Sequence, residues 1–185
     1  MKYLKYYESI SEIDRICKEY DIENYKINSD GSIDVNDDVN LSRRELTELP
    51  IRFNYVGGNF DCQLNKLTNL VGAPKSVGGD FDCQSNDLTT LVGAPKSVGS
   101  DFDCRLNKKL TSLLGAPLSI GKEFKCEKTP VYSVWELFKD KDKLYMFNDY
   151  DIIRDESTIS LYRLNEFLED IGKSPVESVK GYKMI

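Results

Sequence analysis

The 185-residue sequence contains no histidine, one tryptophan and three methionines, and it has no excess of basic charge, with 25 Lys and Arg against 31 Asp and Glu for a net charge of −6. Without imidazole the commonest general base and the commonest zinc ligand are missing. There is no Gly-x-Ser-x-Gly elbow and no phosphate-cradling glycine loop. Paired carboxylates do occur, as Asp80 with Asp82, but outward positions on one strand lie about 7 Å apart on an open surface, where no burial separates their acidities. These absences predict a protein that is not an enzyme and holds no cofactor. No apolar run approaches the roughly 20 residues of a membrane span, and the opening MKYLKYYESISE lacks the apolar stretch of a secretion signal. The expectation is a cytoplasmic chain with no membrane contact. No basic stripe with interleaved aromatics appears, which argues against direct binding of nucleic acid.

What the chain does have is a repeat. Cys62, Cys83, Cys104 and Cys126 recur at steps of 21, 21 and 22, and segments such as NFDCQLNKLTNLVGAPKSVGG and DFDCQSNDLTTLVGAPKSVGS agree at most positions. The extra residue of the last step falls near Lys108-Lys109. Stepping back 21 from Cys62 reaches Leu41, in a degenerate first unit where Leu46, Thr47, Leu49, Val56, Gly57 and Gly58 keep register with Leu67, Thr68, Leu70, Val77, Gly78 and Gly79. Units therefore start near 38, 59, 80, 101 and 123, and the last breaks pattern at Thr129-Pro130. A fixed period in this range signals stacked supersecondary units, and five exceed the minimum of about three.

Within a unit Phe81 and Cys83 alternate with Asp80 and Asp82, the period-2 signature of a strand with one face in the core. Asn65, Asn86 and Asn107 follow three residues after the cysteine, where a turn with buried backbone groups needs a polar partner, so each is expected to bond a neighbouring coil. The second half, LVGAPKSVGG, carries Pro and Gly that a helix could not continue, which predicts an extended return leg or a single helical turn. The cysteines, at the place Leu41 holds in the first unit, read as small core residues. Five of them with no Cys-x-x-Cys pair imply neither disulfides nor a metal site.

The order apolar-x-apolar-x-x-Asn-x-Leu resembles the leucine-rich repeat of bacterial type. More closely, the unit F-x-C-x-x-N-x-L-T-x-L-x-G-A-P-x-x-V-G-G is similar to that of short repeat proteins carried by tailed bacteriophages. The resemblance covers residues 38–128, and INSDGSIDV before it and KCEKTPVYSVWELF after it look like that family's ends. It implies an α/β repeat fold, a leucine-rich-repeat solenoid with a parallel strand ladder, and a phage origin. A binding role follows only from what leucine-rich repeats usually do.

Three regions result. Residues 1–37 are expected to form an N-terminal cap, a helix with a capping box at Ser9 and Glu12 and apolar Ile10, Ile13, Ile16, Cys17 and Tyr20, then a hairpin about Asn28-Ser29-Asp30-Gly31. Residues 38–128 are the solenoid. Residues 129–185 are expected to form a C-terminal helical cap, one helix after Ser133 and a longer one carrying Ile159, Tyr162, Leu164, Phe167, Leu168 and Ile171. Its aromatics read as core, and FNDYDIIRDES reads as a solvated acidic linker.

The 38–128 segment is nearly neutral, twelve basic against eleven acidic residues, but its charges are sorted. The residues flanking the buried phenylalanine are Asn59 and Asp61, Asp80 and Asp82, Asp101 and Asp103, then Glu123 and Lys125. Like charges about 5 Å apart repel by roughly 0.8 kcal/mol in water and about 3 kcal/mol at an effective dielectric of 20. Duplication of a soluble face would produce this column, and so would a site. Asp61, Asp80, Asp82, Asp101, Asp103 and Glu123 are therefore the candidate partner-binding residues, for a basic or nucleic-acid-binding host protein. Mimicry of phosphate rows is the narrower form of that reading, and a structural or assembly role through the aromatic C-terminal region is the other. Calcium binding at Gly78-Gly79-Asp80-Phe81-Asp82 fits poorly, because β-roll calcium repeats have a nine-residue period.

Overall fold

The structure, a computed structural model, describes residues 2–155 and 157–185, with side chains from residue 10 onward. It is an α/β fold with two parallel strand ladders and few helices. The 21-residue repeat builds both ladders directly. Strands β3 (Val39–Asn40), β5 (Phe60–Asp61), β7 (Phe81–Asp82), β9 (Phe102–Asp103) and β11 (Phe124–Lys125) form one sheet in the spatial order β11-β9-β7-β5-β3. Each phenylalanine from Phe60 onward sits in register with its homologue, Phe60 on Phe81, Phe81 on Phe102 and Phe102 on Phe124.

The return legs are extended, as the Pro and Gly content predicts. Strands β4 (Phe53–Val56), β6 (Ser76–Val77), β8 (Ser97–Val98) and β10 (Ser119–Ile120) make a second parallel ladder. Register survives the inserted residue, with Ser119 opposite Ser97. The insertion is taken up in the turn that closes from the Leu110 N–H to the Asn107 carbonyl, 3.1 Å. At Gly78 and Gly99 the units approach so closely that a methyl group would collide with the carbonyl oxygen of the preceding unit's Gly57 or Gly78.

Between the ladders lies one apolar core, in which Leu67, Leu70, Leu88, Leu91, Leu110 and Leu113 are fully buried. Cys62, Cys83, Cys104 and Cys126 are free and fully buried, and burial pushes the pKa of the Cys62, Cys83 and Cys104 thiols well above the ordinary value, so they stay protonated. They act as core residues with no thiolate chemistry. Asn65, Asn86 and Asn107 stack as a buried column and bridge adjacent units. The Asn86 amide donates to the carbonyls of Cys62 (3.0 Å) and Cys83 (3.1 Å), and its oxygen accepts from the Leu67 N–H, 3.0 Å. A ring column runs beside them, Phe60, Phe81, Phe102 and Phe124, with centroids 5.4, 5.2 and 5.6 Å apart.

At the N-terminal end, α1 (Lys2–Glu19) buries Ile13 and Cys17 one turn apart. The helix begins at Lys2, so Ser9 is inside it and not at its start; the Ser9 side chain lies outside the described residues. The hairpin forms as expected, β1 (Tyr25–Ile27) antiparallel to β2 (Ile33–Val35), and β2 joins β4 in the second ladder. Asp30 fixes the turn by accepting from the Ser32 N–H at 3.0 Å and its hydroxyl at 2.6 Å.

The C-terminal region differs from the expected pair of helices. It has α2 (Tyr132–Phe138), α3 (Leu144–Asp149) and α4 (Leu161–Asp170), together with a three-stranded sheet of β12 (Ile153–Asp155), β13 (Thr158–Ile159) and β14 (Lys183–Met184). Ile159 belongs to that sheet and not to the long helix. The segment read as a solvated linker is partly internal, because Ile152 is buried and Ile153–Asp155 pairs with β13; Glu156 lies outside the described residues. Of the aromatics expected in the core, Trp135 and Phe147 are buried, with Trp135 edge-on to Phe124 at 4.9 Å and Phe138 against Phe147 and Phe167, while Tyr132 and Tyr150 are half-buried. Tyr145 and Tyr162 are exposed.

Candidate functional site

The outward positions of the first ladder form two files. One runs through Asp38, Asn59, Asp80, Asp101 and Glu123; the other runs through Asp61, Asp82, Asp103 and Lys125. Stacking brings all six candidate residues onto this face, about 4.8 Å apart from one unit to the next. Their environments are not uniform.

The first file is a chain of side-chain to backbone hydrogen bonds. Asp38 Oδ1 accepts from the Asn59 N–H (2.7 Å), Asn59 Oδ1 from Asp80 (2.8 Å), Asp80 Oδ1 from Asp101 (2.9 Å), and Asp101 Oδ1 from Glu123 (3.0 Å). These acidic side chains thus hold successive units together, which sequence reasoning did not see. The bond from the Asp101 N–H and one from Ser100 hold the Asp80 carboxyl below its ordinary value, and a bond from Lys125 does the same for Asp101. Asp80 is exposed, whereas Lys125 Nζ lies 2.6 Å from Asp101 and 3.6 Å from Glu123.

Because Asn59 fills this file with the same acceptor and no charge, hydrogen bonding and charge can be separated. Asp80→Asn is expected to change unfolding free energy by less than about 0.5 kcal/mol, and Asp80→Ala to lower it by about 1–2 kcal/mol, measured by urea titration. Asp80 is more acidic folded than unfolded, so its ionisation stabilises the fold above its ordinary value of 3.8. That contribution disappears as the pH falls through its lower folded value. The gap between the Asn variant and the native chain should be constant through neutral pH; a gap that widens there would count against the assignment.

The second file departs from the fully solvated row expected of it. Each aspartate turns one oxygen inward to the backbone two residues on, to Gln63 (3.0 Å), Gln84 (2.9 Å) and Arg105 (3.0 Å). Asp61 and Asp82 are half-buried and Asp103 is buried, at 7% exposure. The Arg105 side chain folds over Asp103, Nε 2.9 Å from Oδ2, and removes it from water and from the free negative surface. Burial raises the Asp82 carboxyl, with a further increment from the charges of Asp103 and Asp61. Asp61 and Asp82 have no cationic side chain in an ion pair with them among the described residues.

The unpaired negative charge is therefore narrower than the six-residue column. Of the six it keeps Asp61, Asp80 and Asp82 on adjacent units, with the exposed Asp38 at the head of the first file and with Lys125 and Arg105 neutralising the far end. One exposed feature escaped the sequence reading: the homologous Val71, Val92 and Leu114 form an aliphatic row 64%, 43% and 50% exposed. The period alone shows that these positions repeat, but not which leg faces water. Among the described residues no three Asp, Glu or Cys side chains converge to ligate a metal ion, since the files run parallel. No helix of the described residues is long and apolar enough to cross a membrane. No protein-family model, curated protein or solved structure matches this chain.

Proposed function

We propose that the chain is a leucine-rich-repeat solenoid, capped by its N-terminal helix-hairpin and C-terminal helical regions, that works by binding another protein and not by catalysis. The partner surface is cationic and docks on Asp61, Asp80 and Asp82. The observation that supports this reading most is the half-buried Asp82 carboxylate, whose charge is disfavoured by burial and which stands in no ion pair among the described residues, the nearby Arg105 guanidinium being bonded to Asp103. An incoming Lys or Arg would offset that penalty, which gives a cationic partner a differential advantage over a neutral one. The setting consistent with the phage-like repeat is an infected bacterial cell, with a host factor or defence protein as target. A nucleic-acid-binding target, for which the carboxylate files substitute for phosphate rows, is the specific form of the proposal. The reading through the aromatic C-terminal region is weaker, because Trp135, Phe138, Phe147 and Phe167 are spent on the core.

Charge reversal would be a poor test, since Lys at position 80 also removes an inter-unit hydrogen bond. The cleaner variant combines Asp61→Asn, Asp80→Asn and Asp82→Asn, which keeps each inward acceptor. Affinity capture from bacterial lysate with mass spectrometry should identify a basic protein, and the triple variant should bind it at least about tenfold more weakly. Capture should weaken at about 0.5 M salt and as the pH falls through the raised value of Asp82, where the carboxylate becomes neutral. Undiminished capture by the triple variant would move the site off this face. Loss of the captured protein's DNA or RNA binding on addition of the chain identifies the mimic.

A further inference from the structure

The return half of the repeat carries a surface of the opposite character to the acidic face. Residues 67–79, 88–100 and 110–121 hold no Asp or Glu, although the chain has 31 of them. Each of these legs contains a turn closed by an alanine N–H on a leucine carbonyl, Ala73 to Leu70 (3.0 Å), Ala94 to Leu91 (2.9 Å) and Ala116 to Leu113 (2.9 Å). Gly72, Gly93 and Gly115 have φ of 97°, 93° and 88°, which makes the turns type II and puts Val71, Val92 and Leu114 at their tips. A side chain two residues earlier caps each tip. Asn69 Oδ1 accepts from the Val71 N–H (2.9 Å), Thr90 Oγ1 from Val92 (3.3 Å) and Ser112 Oγ from Leu114 (3.1 Å). The Leu70 N–H donates to the Val92 carbonyl (3.1 Å) and the Leu91 N–H to the Leu114 carbonyl (2.9 Å), so the tips are also tied from unit to unit. The exposed aliphatic row is thus a ridge fixed by backbone. Beside it on the same legs runs a file of Lys75, Lys96 and Leu118, held in register by bonds from the Lys96 N–H to the Lys75 carbonyl and from Leu118 to Lys96, both 2.9 Å. All three are exposed, and neither lysine stands in an ion pair among the described residues. Asp30 feels the Lys75 charge, but its carboxylate is bonded into the Ser32 turn. The first unit ends the surface, with Glu48 and Pro50 at the places of Asn69 and Val71.

We propose that the ridge of Val71, Val92 and Leu114, with Lys75 and Lys96 along its flank, is a docking surface for an acidic amphipathic helix of a partner protein. Spacing selects the helix. Knobs about 4.8 Å apart on stacked units match the roughly 5–6 Å between i and i+3 or i+4 side chains of a helix, and not the roughly 7 Å between same-face residues of a strand. Charge selects the sign of the partner. Carboxylates one turn apart on one flank of that helix reach two unpaired lysines and meet no acid over three units, whereas a basic helix finds no counter-charge there. The ridge is already rigid, so docking has few groups on this side to order. The surface is separate from Asp61, Asp80 and Asp82, which face outward from the first ladder.

The probe is an acetylated, amidated, alanine-based helical peptide with leucines at i, i+4 and i+7 and glutamates along one flank of that stripe. Added to the full chain, it should shift the Val71, Val92 and Leu114 amide resonances saturably. A peptide of the same composition with its leucines spread around the helix should bind at least about tenfold more weakly, and so should one with lysine in place of every glutamate. On the chain, Val71→Ser with Val92→Ser should weaken the probe about tenfold or more, and Lys75→Gln with Lys96→Gln should weaken it and flatten its salt dependence. The Asp61→Asn, Asp80→Asn, Asp82→Asn variant should bind the probe unchanged, so the ridge and the acidic face succeed or fail separately. No saturable shift at any soluble concentration, equal binding of the stripe and scrambled peptides, or equal binding of the acidic and basic peptides would overturn the proposal; these comparisons use the native chain and hold whether or not the variants fold. Shifts at the ridge that need no peptide, grow with chain concentration and vanish in the triple Asn variant would give the ridge to the acidic face of a second copy and overturn the helix assignment.

Discussion

Asn107→Ala is expected to destabilise the fold by about 3–5 kcal/mol, one of the two largest single-residue effects in the chain. Asn107 is fully buried, its amide donates to the carbonyls of Cys83 and Cys104 at 3.0 Å, and its oxygen accepts from the Leu88 N–H at 3.2 Å. Alanine orphans the Leu88 N–H and the Cys104 carbonyl; the Cys83 carbonyl keeps the Asn86 amide. Each orphaned buried group costs about 1–3 kcal/mol, and the cavity left by the amide adds to it. The chain contains its own intermediate case. In the last unit Thr129 stands at this place, and its hydroxyl donates to the Cys126 carbonyl at 2.6 Å. Asn107→Thr should accordingly satisfy the Cys104 carbonyl alone and recover roughly half of the loss. Asn107→Asp should be no better than alanine near neutral pH, because it keeps an acceptor where two donors are needed. Denaturant titration of the three variants gives the order; an alanine cost below about 1 kcal/mol would mean that the column is not what joins the units.

Much of the ladder was legible because the period reports stacking and alternation reports facing. Phe60, Phe81 and Phe102 could only be inward if Asp61, Asp82 and Asp103 were on the other side, and the Asn column followed from the need to satisfy a buried turn. The turn's own backbone was not legible. Leu64, Ser85, Leu106 and Lys128 all have left-handed backbone, with φ of 55–61°, at a place where no glycine advertises it. The conformation recurs immediately before Asn65, Asn86, Asn107 and Thr129, the residues that bond the buried turn, at a cost of about 1 kcal/mol each. In the C-terminal region nothing repeats, so a helical spacing through Ile159 competed with strand pairing that depends on the distant Lys183–Met184. Only tertiary contact decides between them.

The candidate site was legible in position but not in charge. Composition places aspartates on the strand face, yet whether an aspartate faces water, its own turn or the next unit depends on which N–H lies within reach. Asp80 and Asp82 are two residues apart and identical in sequence terms; one is held more acidic by hydrogen bonds and the other less acidic by burial. Asp103 leaves the site because Arg105 occupies the place of Gln63 and Gln84, a single change within the repeat. The repeat therefore predicts a uniform acidic column, while its irregular residues set where that column ends.

Phe102→Ala carries the second large effect and tests how the units are coupled. Phe102 is fully buried between Phe81 at 5.2 Å and Phe124 at 5.6 Å, and the column continues through Trp135 into Phe138 and Phe167. Truncation of such a ring costs about 3–5 kcal/mol. A repeat array contacts only its neighbours, so the loss falls on one interface instead of being spread over a globular core. Units before Phe102 keep their mutual contacts, as do the last unit and the C-terminal helices. The expected result is therefore a lower unfolding midpoint together with a smaller denaturant slope, as the two parts separate into steps. Amide exchange should then be faster at Cys104 and Lys125 than at Cys62 and Cys83. Phe81→Ala should move the boundary by one unit toward the N-terminus, which a general loss of core would not do. An unchanged slope for both variants would show that the asparagine column, not the rings, sets the cooperativity of the ladder.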